Sequence, residues 1–569
     1  MSDSTSTRFD DSLDAIVIGA GFAGMYMLYR LRALGFKAQG FEAGSDVGGA
    51  WYWNRYPGAR CDVQSLVYSY SFSPELEEEW RWSERYAAQP EIQAYLSYAA
   101  DRLELRPLIQ FETRVIGATF DESNDRWLVK TDKGQQVAAR YLLMATGPIS
   151  LPVLPNIPGI KDFRGTLLHT ARWPQQQPDF RGKKVGVIGT GSSGTQIIPI
   201  LAEQAAQLLV FLRTPNFTVP ARNNPTGDDE FAQWVARRVD IRAAMWRGEI
   251  AGVGDVLMRE ELIKTRSSPA ASFTPEQRRE ILEERWAVGG AALQGSFKDV
   301  MTDESVNEEV ANFVREKIRE TVKDPKKAEL LIPKGFALGT KRICVGSNYY
   351  EAYNRENVEI VDIKKNAIER VTASGVVVGG EEIQLDVLIA ATGFDAVTGA
   401  ISSIDIRGKN GQTIHDAWQH GPYTFLGIGI CGFPNLLMIG GPGSPSVLSN
   451  VVMTNEYQVD FVGRILEHMK ATGKTRLDVV AEAQEQWTQH VNDVVKLSLL
   501  AKSDSWYVGA NIPGKARAIL AYTGGVRAYR AACEKVESED YAGFRFTSQR
   551  TFLEKGTRND REPGTSKEV

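Results

Sequence analysis

The stretch Ala15-Ile16-Val17-Ile18-Gly19-Ala20-Gly21-Phe22-Ala23-Gly24 recurs in kind at Val185-Gly186-Val187-Ile188-Gly189-Thr190-Gly191-Ser192-Ser193-Gly194. In each, a β-branched apolar run leads into glycines spaced G-x-G-x-x-G. One such motif is weak on its own, but each copy here follows a predicted strand and opens a predicted helix. The glycines allow a tight turn, let backbone N–H groups approach a pyrophosphate, and aim a helix N-terminus at the anion. An acid, Glu42, stands roughly 20 residues beyond Gly19, and Arg213-Thr214 stands at the equivalent distance beyond Gly189. A carboxylate there accepts from a ribose 2′-hydroxyl, whereas an arginine suits a 2′-phosphate. The reading is α/β, with two Rossmann-like dinucleotide-binding domains, the first for FAD and the second for NADP(H). Arg213-Thr214 also reads as a solvated surface pair.

Working outward from the first loop, Met25, Leu28, Leu31 and Leu34 recur at helical spacing until Gly35 ends the helix. An aromatic-rich region, 51–100, ends in a predicted helix over 91–103, and a strand-rich excursion follows. An apolar strand running into Ala145-Thr146-Gly147 is echoed by one running into Ala391-Thr392-Gly393. These strand ends are read as crossings between domains. The expected division is a FAD-binding domain over 1–147 resumed over 391–545, an NADP-binding domain over 148–390, and a tail over 546–569. The NADP domain carries a charged helical insertion at about 228–332, with a helix expected over 276–286. The insertion is expected to pack on the second domain.

Bulk composition is consistent with this. A chain of 569 residues exceeds one hydrophobic core, and 43% hydrophobic with 24% charged residues is ordinary for a globular protein. The net charge of −5, from 66 basic and 71 acidic residues, gives no sign of nucleic acid or an anionic membrane as partner. Thr424–Ile439 is the longest apolar stretch. Gly427, Gly429, Gly432 and Pro434 break it, so it reads as buried strands with a turn rather than a membrane span. Residues 1–12 are polar, so no secretory signal is expected. Cys61, Cys344, Cys431 and Cys533 form no CxxC and no Cys–His cluster. Neither a disulfide framework nor a metal site is expected, and a reducing cytoplasm fits.

Three further segments hold candidate chemistry. Gly48-Gly49-Ala50-Trp51 through Arg60-Cys61-Asp62 follows the acid of the first unit and is expected to pass over the flavin. Gly49 permits close approach to the ring, and Trp51 can flank it. Asp62 reads either as a buried salt bridge or as the group that orients an active-site cation. Lys341-Arg342 places two cations on a loop of the second domain. Lys341 can assist Arg213 at the 2′-phosphate and Arg342 can enter the flavin site, or both can be solvated; spacing leaves these open. His169, flanked by aromatics, reads as a satisfied linker residue ahead of a general base.

The run Phe163-x-Gly165-x-x-x-His169-x-x-x-Trp173-Pro174, lying between two dinucleotide loops, resembles the fingerprint of the type I Baeyer–Villiger monooxygenases. Gly49-x-Trp51, Arg60-Cys61-Asp62, Lys341-Arg342, Ala391-Thr392-Gly393 and Asp504-Ser505-Trp506-Tyr507 resemble family segments too, so the likeness spans nearly the whole chain. Gly441-Pro442-Gly443-Ser444-Pro445-Ser446-Val447-Leu448-Ser449 is most similar to the phenylacetone and steroid monooxygenase branch. The resemblance implies that NADPH reduces FAD, O₂ forms a C4a-peroxyflavin, and this attacks a ketone to give an ester or lactone. It implies that Arg342 stabilises the anion, that Asp62 holds Arg342, and that NADP stays bound through oxygenation. It also makes His169 structural, puts Trp506 on a loop over NADP and the substrate, and lines the substrate pocket with Val447 and Leu448. Heteroatom-oxidising flavin monooxygenases share the loops and usually differ at the position of Trp173. A disulfide reductase needs a partner for Cys61 that the sequence lacks, and a non-catalytic redox-sensing flavoprotein is the alternative from outside the enzymes.

Overall fold

The computed structural model describes residues 10–249 and 260–548. The polar N-terminal residues 1–9 and the stretch from 549 onward, which holds nearly all of the expected tail, lie outside the described residues.

Two sheet units are present, the first mixed and the second parallel. In the first, Asp10–Ile18 pairs in parallel with both Ala38–Phe41 and Gln136–Met144, and Ile109–Gln110 extends the Ala38–Phe41 edge. Val115–Asp121 and Arg126–Thr131 continue antiparallel from Gln136–Met144. Strands far along the chain join the same sheet: Asp405–Arg407 beside Val115–Asp121, and Leu436–Met438 beside Gln136–Met144. The second sheet is all parallel, in the order 358–362, 207–212, 184–188, 387–390, 166–169. Successive strand residues point to opposite faces. Ala15 and Val17 therefore enter one core and Ile16 and Ile18 another, and Val185 and Val187 part from Ile188 in the same way. Both faces of Ala15–Ile18 and Val185–Ile188 are covered, which explains why these strands read as unbroken apolar runs.

The helix Phe22–Ala33 follows the first loop, with Leu34 as C-cap and Gly35 at φ +75° turning the chain out. The long helix Val451–Ala471 lies alongside it, where the Tyr26 hydroxyl donates to Asp460 (2.7 Å). The helix expected over 91–103 spans Gln89–Arg102, starting earlier because Pro90 is tolerated in a first turn.

Two expectations need correction. The insertion contains the helices Asp228–Arg247, Glu260–Ser267, Pro275–Val288, Glu304–Thr321 and Pro325–Leu331. The last three send Leu282, Val310, Val314 and Leu331 into the core of the second sheet, as expected. Asp228–Arg247 instead buries Phe231, Trp234, Ile241 and Met245 in the core of the first. These residues form one helical stripe, and Arg242 fixes the docking by pairing with buried Glu77. Within Thr424–Ile439 only Leu436–Met438 is a strand, because Leu426 at φ +56° and Gly427 at φ +67° force a tight reversal before it. Among the described residues no helix is long and apolar enough to cross a membrane.

Candidate functional site

The two glycine loops have matching geometry. Gly19 and Gly189 have φ of +103° and +109°, and a Cβ on either would lie 2.5 Å from the carbonyl oxygen of Ala145 or Ala391. A Cβ on Gly24 or Gly194 would lie 1.8 or 2.2 Å from the carbonyl of Gly19 or Gly189. The loops thus fold against the two Ala-Thr-Gly strand ends. Gly21 rests against Gly49, itself at φ +54°, whereas a Cβ on Gly191 would meet nothing within 4 Å. The first backbone N–H groups of each helix precede its intrahelical bonds and are available to a diphosphate, with open space beside Gly191, and the residues present fit two dinucleotides.

The charges that close the two sites differ in setting. Glu42 is buried, and its carboxylate accepts from the N–H of Ala20 (2.9 Å) and of Gly44 (2.7 Å). Each oxygen keeps a lone pair for a ribose hydroxyl. Arg213 and Thr214 are exposed at the end of the strand Gln207–Leu212, and the Thr214 carbonyl accepts from Thr190 Oγ1 (3.2 Å). Lys341 joins them: burial lowers its pKa, Asp504 opposes that, and the neighbouring Arg213 charge lowers it further. Its Nζ lies 4.8 Å from the centre of the Phe336 ring. This cation pair is the more exposed end of the second site.

Between the two units, Arg342 meets Asp62 through two parallel bonds, Nε to Oδ2 (2.6 Å) and Nη2 to Oδ1 (2.7 Å). Nη1 donates to the Val447 carbonyl (2.6 Å), and Asn216 Nδ2 donates to the Arg342 carbonyl (2.8 Å). Burial pushes the Asp62 carboxyl up, yet the adjacent guanidinium outweighs it and holds the group below its ordinary range. Burial likewise works against the Arg342 charge, and Asp62 more than restores it. The pair is ionised on both sides, and its side chains keep 26% and 23% exposure, so the site is reachable. Tyr507, from the Trp506 segment, is buried, and the neighbouring Arg342 charge opposes the rise that burial gives its pKa. Trp51 donates from Nε1 to the Tyr68 hydroxyl (3.2 Å). Burial, then the Asp62 charge, pushes the Cys61 thiol well up, and all four cysteines are free.

The fingerprint lies where the chain crosses between the sheets. Phe163 packs over Gly165, where a Cβ would fall 2.5 Å from both the Phe163 ring and the Asp386 carbonyl. His169 Nδ1 accepts from the Ala171 N–H (3.0 Å), capping the turn Thr170–Arg172. Its Nε2 lies 3.3 Å from the Val153 carbonyl and 3.5 Å from Thr392 Oγ1, so the ring touches both segments that follow the crossing strands. Burial lowers its pKa, which keeps the ring neutral. Trp173 Nε1 donates to Gln177 Oε1 (2.8 Å), Gln177 Nε2 donates to the Arg55 carbonyl (3.0 Å), and the Arg172 guanidinium sits 4.5 Å over Trp53. Those contacts hold the segment that Gly49 and Trp51 begin.

Asp62, Arg342 and Val447 thus converge, with Trp506 close by. The Trp506 ring packs on Ala396, Val397 and Leu520, 4.3 Å from the Tyr507 ring, while Ser503 Oγ donates to the Thr340 carbonyl (2.7 Å) beside Lys341. Leu448 is half-buried next to Val447. Phe163, His169 and Trp173 make their contacts at the crossing instead. Sequence reasoning assigned no role to Tyr507, Asn216 or the Val447 carbonyl. Tyr507 was named only within the segment Asp504–Tyr507, and a backbone acceptor leaves no trace in residue type.

Two sheets, one mixed and one parallel, each with a glycine loop after one of its inner parallel strands, and a charged pair between them define a two-nucleotide flavoprotein. The flavin-binding monooxygenase-like family model matches residues 14–227. The chain is 41% identical to the acetone monooxygenase (methyl acetate-forming) of Gordonia sp. strain TY-5, over 94% of this chain and 99% of that one. It is 39% identical to a phenazine N-monooxygenase of Lysobacter antibioticus, over 96% and 98%. A solved steroid monooxygenase bound to NADP superposes with a TM-score of 0.88 at 45% identity, covering 94% of this chain and 99% of that one. The chain belongs to the type I Baeyer–Villiger monooxygenases, flavoproteins that use FAD and NADPH.

Proposed function

We propose that the chain inserts one oxygen atom of O₂ beside the carbonyl of a ketone, giving an ester or lactone, with FAD in the first unit and NADPH in the second. The observation that carries this reading is the ionised Arg342–Asp62 pair held between two dinucleotide folds. FAD held there, once reduced by NADPH, would supply the electrons that activate O₂. Arg342 supplies a permanent positive charge where negative charge develops on oxygen, because its guanidinium does not release its proton. Asp62 and the Val447 carbonyl fix the guanidinium in one plane, leaving its remaining N–H groups for an oxygen anion. Gly19, Gly21, Gly24, Glu42, Gly49 and Trp51 hold FAD; Gly189, Gly191, Gly194, Arg213, Thr214, Lys341 and Trp506 hold NADP. Val447 and Leu448 border the substrate. His169 couples the units through Val153 and Thr392.

Sheet membership supports the division into a FAD unit over 1–147 and 391–545 and an NADP unit over 148–390. Four unpaired cysteines support a cytoplasmic setting. Product analysis on NADPH consumption with a ketone and a thioether tests the activity. An ester from the ketone is expected; sulfoxide from the thioether with no ester from any ketone would overturn the reading. That second outcome is heteroatom oxidation, which the likeness to a phenazine N-monooxygenase favours as the alternative.

A further inference from the structure

The helix Ser192–Gln204, which starts inside the second glycine loop, touches both segments that carry the ion pair. On one side, Gln196 grips the chain leading to Asp62. Its Oε1 accepts from the Tyr56 hydroxyl (2.7 Å) and the Arg60 N–H (3.3 Å), and its Nε2 donates to the Arg60 carbonyl (2.9 Å). Both backbone groups of Arg60 are therefore bonded to a side chain of the other unit, two residues before Asp62. Gly58, at φ +83°, lets this approach happen: a Cβ there would lie 2.4 Å from the Gln196 carbonyl. On the other side, Ser192 Oγ lies 3.7 Å from Cys344 Sγ, two residues past Arg342. Thr195 packs on Gly346, where a Cβ would lie 2.8 Å from Thr195 Cγ2. Asn216 Nδ2 contacts the Arg342 carbonyl (2.8 Å) and Cys344 Sγ (3.2 Å), so Cys344 and Arg342 are held as one piece.

We propose that Gln196 is a positioning residue that ties the second glycine loop, and the nucleotide in it, to the alignment of Asp62 with Arg342. The inference rests on the reading of that ion pair as the place of oxygen transfer. Helix N-termini are made firmer by a bound anion. A nucleotide at Gly191–Gly194 therefore steadies the first turns of the helix, and Gln196 passes that constraint to Arg60 and on to Asp62. The side chain itself takes no part in proton or electron transfer.

The test uses the FAD-loaded full chain with Gln196→Leu, which removes all three bonds at similar volume, and Gln196→Glu, which keeps the acceptor and loses the donor. FAD content, the rate of flavin reduction by NADPH and the Kd for NADP⁺ are expected within about threefold of the parent. The ester formed per NADPH consumed is expected to fall about tenfold in Gln196→Leu, as the loss of several hydrogen bonds implies, with hydrogen peroxide making up the balance. The change in flavin absorbance on adding NADP⁺ is expected to shrink in parallel, and Gln196→Glu to fall between. An unchanged ester fraction, or one that falls only as FAD content falls, overturns the inference. If Gln196→Leu does not fold, Tyr56→Phe removes one bond from the same Oε1, and a parental ester fraction there also overturns it. Arg342→Ala, measured alongside, separates the two ideas: ester at the parental level in that variant sinks the reading of the ion pair itself.

Discussion

Arg342 and Asp62 stand 280 residues apart in the chain, and their two bonds place the guanidinium and carboxylate in the side-by-side arrangement that only arginine makes. Each partner keeps the other ionised against the pull of burial. Replacing Arg342 with Ala is expected to leave NADPH-driven flavin reduction intact and to cut ester formation roughly 10²–10³-fold. Arg342→Lys is expected to recover little, since one ammonium cannot span both carboxylate oxygens. Anaerobic stopped-flow reduction and product quantification check this; normal yield in either variant would refute the role of Arg342.

The exposed pair Arg213 and Lys341 sets the choice between nicotinamide cofactors. Arg213→Ala is expected to raise the Michaelis constant for NADPH by roughly tenfold or more, from ~1.5–3 kcal/mol of lost charge-assisted bonding. The constant for NADH is expected to stay where it was. Steady-state kinetics with both cofactors decides the matter, and an unchanged preference removes Arg213 from the site.

Gly24→Ala and Gly194→Ala present the same clash to different loops, since each new methyl would press on the carbonyl of Gly19 or Gly189. Gly24→Ala is expected to purify depleted in flavin. Gly194→Ala is expected to keep its flavin and to bind NADP⁺ weakly. Flavin absorbance per protein and calorimetric titration with NADP⁺ read the two effects separately, and equal losses of both cofactors in both variants would contradict the assignment of loops.

Glu456 is a buried carboxyl outside the ion pair. Its Oε1 accepts from the N–H groups of Ser71 (2.6 Å) and Phe72 (3.3 Å) and its Oε2 from Ser71 Oγ (2.5 Å). Burial raises its pKa to about 7, with Arg242 and the Ser71 bonds opposing. The folded chain therefore holds a proton that the unfolded chain, with a carboxyl near 4.3, has released. Stability falls as pH rises between those values and is level above about 7. Glu456→Gln removes the ionisation while its amide can still meet Ser71 and Phe72. The variant is expected to be more stable than the parent at pH 8 by roughly 1–3 kcal/mol, with the gap closing toward pH 5. Thermal unfolding across that range checks it, and a gap independent of pH would exclude titration of Glu456.

Short-range features were legible before the fold was known. The glycine loops, the helix ending at Gly35 and the crossing strands ending at Gly147 and Gly393 are each set by a few adjacent residues whose backbone conformations only glycine or an apolar run satisfies. The Glu42 and Arg213 contrast belongs with them, because a βαβ unit delivers the end of its second strand at a nearly constant distance. The pairing of Asp62 with Arg342 was implied by the family resemblance alone; spacing left Asp62 open between two roles and Arg342 between site and solvent.

Tertiary structure decided the rest. The sequence places 391–545 with the first unit, but only the fold pairs strand 405–407 with Val115–Asp121 and 436–438 with Gln136–Met144, and docks the helix Asp228–Arg247 on the first unit. The Val447 carbonyl and the Gln196 grip on Arg60 likewise exist only in the folded chain. In each case the stabilising partner lies beyond a long loop, so nothing in the local sequence rewards the arrangement until the two cores have closed around it. Loop chemistry is written in neighbouring residues, whereas the alignment of one carboxylate with one guanidinium is a property of two packed sheets and the helix between them.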